Sequence, residues 1–252
     1  MIVDYPAPHQ TGALRKLWKE AFCDTDLFLD GFFENGFSPR RCRCITQAEE
    51  VLAVIYWFEL NFGDRRLAYL YAVATAKSHR GKGLFSSLLE DTKRVLTEEG
   101  FDGILLVPES ESLGRMYEKF GFTACTSVDR HEVLPAAEPV DYREIGPEEF
   151  ALTRRTMLPE GGILQEGRML SFVASQYRFW AGSGWLAAGQ VYDGMLVCQE
   201  FLGDHTAMAG LTRALGASKG VFRTPGNTHH FGWFLPLREN CERPAYFAIA
   251  LD

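Results

Sequence analysis

The period of the hydrophobic pattern changes repeatedly along the chain. From Leu52 to Leu60 both alternating rows are apolar: Leu52, Val54, Tyr56, Phe58 and Leu60 on one side, Ala53, Ile55 and Trp57 on the other, with Glu59 the polar exception. A period-two segment with two apolar faces predicts a central strand, here Leu52 to Phe62. Asn61-Phe62-Gly63-Asp64 supplies a turn, and Leu67 to Thr75 predicts the next strand. The period then becomes helical. Phe85, Leu88, Leu89, Thr92 and Leu96 fall on one stripe, while Ser86, Glu90, Lys93 and Arg94 lie elsewhere. A helix from Leu84 to about Glu98 follows, closed by Gly100.

Around these elements the pattern predicts an opening strand at Val3-Asp4-Tyr5 and helices near Thr11 to Phe22 and Leu27 to Phe33. A strand is expected over Arg41 to Thr46 and another over Ile104 to Val107. Leu113, Met116, Tyr117 and Phe120 mark one face of a short helix, and Phe122 to Val133 returns as a strand. Leu134-Pro135-Ala136-Ala137-Glu138-Pro139 reads as a linker. Val140-Asp141-Tyr142, before a helical stretch at Phe150 to Arg155, repeats Val3-Asp4-Tyr5 at an offset of 137 residues. We therefore expect a first domain over 1–134 and a related, degenerate one over 135–252. In the second, Trp185 to Tyr192 and Met195 to Leu202 predict a hairpin around Asp193-Gly194. Ala207 to Leu215 looks helical, and Val221 to Thr224, Phe231 to Leu235 and Tyr246 to Ala250 look like strands.

Composition narrows the class. The chain has 252 residues, 46% hydrophobic and 23% charged, which is long and mixed enough for a folded core. The longest apolar run, Val51 to Phe58, is eight residues, short of the ~20 that span a bilayer. No basic region followed by an apolar stretch opens the chain, so no signal peptide is expected. Six scattered cysteines predict free thiols in a reducing cytoplasm. A net charge of −7 speaks against a nucleic-acid partner, and no membrane partner is expected.

Chemistry concentrates in Val73-Ala74-Thr75-Ala76-Lys77-Ser78-His79-Arg80-Gly81-Lys82-Gly83-Leu84. A strand enters a turn and the turn opens a helix, whose N-terminus offers amide hydrogens and a positive dipole end. Glycines at 81 and 83 allow close backbone approach, and Arg80 and Lys82 add charge. This suits an anion, most plausibly a pyrophosphate; the plainer alternative is a tight turn with solvated basic residues. Two nucleotide motifs do not fit. A P-loop needs Ser or Thr after Gly-Lys and a glycine five residues before the lysine, but Gly83 and Lys77 stand there. A dinucleotide fingerprint needs a third glycine where Ser86 stands.

Arg80-Gly81-Lys82-Gly83-Leu84 resembles the acyl-CoA pyrophosphate loop of the GNAT acetyltransferase superfamily, Arg/Gln-x-x-Gly-x-Gly/Ala. The lead-in strand Leu70 to Thr75 fits, and Tyr117-Glu118-Lys119-Phe120-Gly121-Phe122 is similar to the family's Tyr-x-Lys-x-Gly-Phe element. Phe85 replaces the usual Gly or Ala, and Ser110 stands where many members have Asn. The second half carries no Arg-x-x-Gly, so one acyl-CoA site is expected. The resemblance implies an α/β fold: a GNAT-like mixed central sheet flanked by helices, followed by a second, smaller degenerate GNAT-like unit. That second unit would complete the sheet, shape the acceptor pocket or mediate contacts in a homo-oligomer.

What the resemblance implies for chemistry is acetyl transfer from acetyl-CoA to a primary amine, in a small molecule or a peptide. Backbone groups of Val73 and Thr75 would pair with the pantetheine arm, and an amide near Val73 would polarise the thioester carbonyl. Amides of Gly81, Gly83, Leu84, Phe85 and Ser86, flanked by Lys82, would hold the pyrophosphate. Arg80 would assist or pack on the loop. Tyr117 would protonate the leaving thiolate; otherwise it is a core tyrosine. Candidate bases for the amine are Glu59, Glu109, the terminal carboxylate of Asp252, or water. A silent CoA sensor and an acyltransferase with another donor are the rival readings. Cys42-Arg43-Cys44 reads as strand and no metal site is expected. His229-His230 read as loop histidines, and Trp57, Trp180, Trp185 and Trp233 as core.

Overall fold

The computed structural model describes residues 1–251. The chain divides into two compact units: Met1–Leu60, Asp64–Leu106 and Leu235–Cys241 form one, while Asn61–Gly63, Val107–Phe234 and the stretch from Glu242 onward form the other.

In the first unit, β1 (Ile2–Asp4) leads to α1 (Thr11–Phe22) and α2 (Asp26–Gly31), which runs into a π-helical turn over Phe32–Gly36. Then come β2 (Cys42–Gln47), β3 (Glu50–Phe62), β4 (Arg65–Thr75), α3 (Leu84–Glu98) and β5 (Gly103–Leu106). The strand order is β1-β2-β3-β4-β5. β1, β2 and β3 pair antiparallel, whereas β4 and β5 run parallel. The doubly apolar segment becomes β3, buried along nearly its whole length between β2 and β4. Cys42 and Cys44 are buried in β2, and Arg43 between them bonds Asp91 of α3 at 2.7 Å. On α3 the buried stripe is Leu84, Leu88, Leu89, Thr92, Val95 and Leu96. Phe85, expected on that stripe, is half-buried beside it. An aromatic cluster of Trp18, Phe32, Tyr56 and Tyr71 joins α1 and the π-helical turn to the sheet.

The second unit holds α4 (Glu111–Glu118), β6 (Thr123–Val133), β7 (Arg143–Ile145), α5 (Pro147–Met157), α6 (Gly167–Gln176) and β8 (Arg178–Gly182). It continues with β9 (Trp185–Tyr192), β10 (Met195–Gly203), α7 (Ala207–Ala214), β11 (Lys219–Pro225) and β12 (His229–Pro236). Its strand order is β12-β6-β11-β10-β9-β8-β7. From β7 to β11 the elements run strand, two helices, three strands, helix, strand, as they do from β1 to β5. Here too the last pair, β10–β11, is parallel and the pairs before it are antiparallel.

Three expectations change. The strand at the restart is Arg143–Ile145, just after Val140-Asp141-Tyr142. Helix α6 and strand β8 had no predicted counterpart, although Met169, Phe172 and Val173 carry the i, i+3, i+4 spacing of a buried face. Tyr246 to Ala250 is not a strand: Tyr246 makes one isolated bridge to Gly162, and the rest is buried without a ladder. The hairpin turn holds as expected, with Asp193 and Gly194 both left-handed (φ +49° and +71°).

The second unit buries an ion pair. Arg154 on α5 grips Glu200 on β10 through Nε (2.6 Å) and Nη2 (2.9 Å), and its Nη1 donates to the Ile163 carbonyl at 2.9 Å. Both side chains are at most 3% exposed. Arg154→Met would leave the Glu200 carboxylate buried and uncompensated. Chemical denaturation should show a loss of about 3–5 kcal/mol, and the double change Arg154→Met/Glu200→Leu should recover most of it.

Candidate active site

The glycine-bearing loop begins where a strand outruns its partner. The β4–β5 ladder pairs Leu67 to Leu70 with Gly103 to Leu106 and stops there, while β4 continues to Thr75. Just past the last pair, Ala72 takes a left-handed conformation (φ +49°), a cost of ~1–2 kcal/mol for a residue with a Cβ. A kink of this kind re-aims the amides that follow. The chain is then fastened at several points. The Ala76 amide donates to the Leu52 carbonyl at 2.8 Å and the Lys77 amide to Glu20 at 2.6 Å. A short 3-10 turn covers Lys77–His79, and Arg80 Nε donates back to the Thr75 carbonyl at 3.1 Å.

Gly81 and Gly83 are both left-handed (φ +75° and +77°), and no atom lies within 4 Å of where a Cβ would sit on either. Backbone conformation, not crowding, calls for glycine here. Gly83 is the N-cap of α3, whose N-terminus has no side-chain cap and no acidic residue in its first turn. Thr25 caps α2 and Ser110 caps α4, while α1, α5, α6 and α7 likewise begin without a side-chain cap. The first-turn amides of Leu84, Phe85 and Ser86 face outward beside exposed Arg80 and Lys82, a geometry for holding an anion. A cavity of about 320 Å³ on the α1 side of the loop includes Glu20, Glu49 and Glu50 among its lining, which would oppose an anion.

Tyr117 lies on α4 in the second unit, 6% exposed, its ring 5.7 Å from that of Phe122 in an edge-on contact. Burial pushes its hydroxyl up to about 12, so it is protonated at neutral pH. The helix carrying it is packed closely: a Cβ on Gly114 would stand 2.7 Å from the Trp233 ring, whose Nε1 donates to Glu118 at 3.4 Å.

The candidate bases separate. Glu59 pairs with Arg41 (2.6 Å) and Arg66 (2.9 Å), and these hold its carboxyl below the usual range, the Arg66 hydrogen bond most of all. It also sits seven residues along β3 from Leu52, which anchors the loop, or about 23 Å at strand rise. The Glu59 carboxylate is thus engaged by two guanidinium groups. Glu109 is exposed in the turn before α4, and Asp252 lies outside the described residues. Cys42 and Cys44 belong to the core, and His229 and His230 are exposed on β12 rather than in a loop. Sequence reasoning missed Ala72 and Leu52. A left-handed alanine and a backbone carbonyl leave no mark in residue type.

Residues 7–125 match the family model for an acetyltransferase (GNAT) domain. No curated protein matches the chain in sequence. A GCN5-related N-acetyltransferase from Kribbella flavida is similar in fold, at 14% identity and a TM-score of 0.69, over 92% of this chain and 70% of that one. Eis1 from Mycobacterium abscessus gives 11% identity and 0.68, over 94% and 74%. A GCN5-related N-acetyltransferase from Sphaerobacter thermophilus gives 13% and 0.60, over 97% and 98%. At these identities the likeness is one of fold.

The Glu59 ion pairs carry a pH signature. A carboxyl held low by folding stabilises the protein above its ordinary 4.5, and that contribution is lost as the pH falls through 4.5 and the lower folded value. Melting temperature measured from pH 7 to 3 should therefore fall more steeply for the native protein than for Glu59→Gln. At the loop, Gly83→Val should cost ~1–2 kcal/mol in a urea melt, through its left-handed backbone alone.

Proposed function

We propose, from the match of residues 7–125 to the GNAT acetyltransferase family model, that the protein moves an acetyl group from acetyl-CoA to a primary amine by direct attack. The observation that carries this reading is the uncapped N-terminus of α3 behind two left-handed glycines, beside the unladdered end of β4. Amides of Gly81, Gly83, Leu84, Phe85 and Ser86 would hold the pyrophosphate, with Lys82 adding charge. Val73, just after the kink at Ala72, would turn its amide to the thioester carbonyl and stabilise the oxyanion. The pantetheine arm would lie along Val73 to Thr75; Arg80 holds the Thr75 carbonyl and positions the loop.

The balance is simple. The neutral amine forms a C–N bond with the carbonyl carbon and the C–S bond breaks. The amine gives up one proton and the departing sulfur takes one, from Tyr117. The amine's proton leaves through water or Glu109. The acceptor is a small molecule or peptide with a primary amine. Six free thiols fit a reducing cytoplasm, and no helix among the described residues is long and apolar enough to cross a membrane. The ion-paired state of Glu59 favours one rival, a protein that binds CoA without turnover.

Isothermal titration with acetyl-CoA should show one site, and Gly83→Val should weaken it at least tenfold. No heat at millimolar ligand would remove the reading. Tyr117→Phe should lower kcat by about 10²-fold or more while leaving the CoA dissociation constant within twofold. CoA binding without acetyl transfer to any of a broad panel of amines would point to the silent binder.

A further inference from the structure

The parallel ladder of the second unit also stops short: β11 continues to Pro225 against β6, so here both strands run on past the last pair. β10 and β11 pair Met195 to Cys198 with Lys219 to Phe222, and β10 then runs on to Gly203. The pairing of β10 with β9 slips between Cys198 and Glu200. Counted from the last laddered pair, Gln199 and Glu200 stand where the first unit has Tyr71 and Ala72, and Arg223 is the first residue past the ladder on β11. In the second unit these positions are polar, buried and engaged.

Their partner is the buried segment from Tyr246 to Leu251. Tyr246, Phe247, Ala248, Ile249, Ala250 and Leu251 are all buried, none more than 8% exposed. The segment enters at Gly161, whose carbonyl accepts the amides of Ala245 (2.8 Å) and Tyr246 (3.2 Å). Arg223, the first residue past the ladder on β11, donates through Nη1 to the Ala248 carbonyl and to Gln199, both at 2.6 Å. Gln165 donates to the Ile249 carbonyl at 2.6 Å and is itself held by Arg154 at 3.2 Å. Phe247 packs 6.3 Å from Phe231. Two carbonyls of an unladdered segment are thus read by buried side chains, much as a bound peptide would be.

The helix that follows begins differently. Only Asp204, His205 and Thr206 separate β10 from α7, against eight residues before α3. Asp204 accepts the Thr206 amide (3.0 Å) and hydroxyl (2.8 Å), which sets a carboxylate at the start of α7. That charge repels a phosphate where α3 would attract one.

We propose that residues 245–251 are an internal ligand of the second unit, filling the space where the β10–β11 ladder ends, so that this unit takes no acyl-CoA. Only the identity of the excluded ligand rests on the proposed function; the segment's place rests on contacts within the unit.

Hydrogen exchange on the full chain is the first test. Arg223→Leu should speed exchange of the 245–251 amides at least tenfold and leave the 185–192 strand protected. Unchanged exchange, or a rise spread evenly over the unit, would overturn the proposal. A chain ending at Pro244 should melt at least about 10 °C lower. A synthetic peptide of residues 245–252, added in trans, should restore the melt with one-to-one saturation. An unaltered melt, or a folded truncated chain that ignores the peptide, would overturn it. Acetyl-CoA should titrate at no more than one per full chain, and two equivalents would overturn it. Failure of any CoA to bind would count against the acetyltransferase reading and leave the exchange and peptide results as they stand.

Discussion

A strand that outlasts its parallel partner leaves backbone donors and acceptors that must be satisfied by something else. Much of this chain's detail follows from that constraint. In the first unit the β4–β5 ladder stops at Leu70 and Leu106. The left-handed Ala72, the Ala76–Leu52 bond and the Arg80 brace all lie within ten residues of that stop. In the second unit the ladder stops at Cys198 and Phe222, and there Arg223 donates to Gln199 and to the Ala248 carbonyl of the buried 245–251 segment. The end of the parallel ladder is thus followed by a braced loop in one unit and by buried side chains gripping that segment in the other.

Electrostatics divides the two units along the same line. At α3 the first turn carries no side-chain cap and no acidic residue, and cations flank it, a setting that favours an anion. At α7 the Asp204 carboxylate stands just before the helix, on the amide and hydroxyl of its N-cap Thr206, and disfavours one. The buried Arg154–Glu200 pair fits this division. Its desolvation is offset by bidentate geometry, and the same guanidinium orients Gln165 toward the 245–251 segment. The pair therefore acts as a positional lock, which an apolar pair of equal volume would not reproduce.

Legibility followed the reach of local pattern. α1 and α3 were readable to the residue because amphipathic spacing, Gly83 and Gly100 mark them locally. The loop was readable because left-handed backbone selects glycine. Ala72 was not, since its conformation is imposed by strand mismatch and alanine advertises nothing. Tyr246 to Ala250 looked like a strand because burial on both sides writes the same apolar run whether or not a ladder forms. Glu59 looked like a candidate base because Arg41 and Arg66, 18 and 7 residues away, carry no signal that they converge on it.

Tyr117 brings burial and chemistry into tension. The apolar setting that raises its hydroxyl to about 12 keeps it neutral and ready to donate. It also makes the phenol a weaker acid than an ordinary thiol, so full proton transfer to such a sulfur runs uphill. Within the proposed chemistry, the phenol therefore donates a hydrogen bond as charge develops on the sulfur and passes its proton only as the C–S bond breaks, water returning one to the tyrosine. The dense packing of α4 serves that role, because Gly114 against Trp233 fixes the helix one turn away from the hydroxyl it presents.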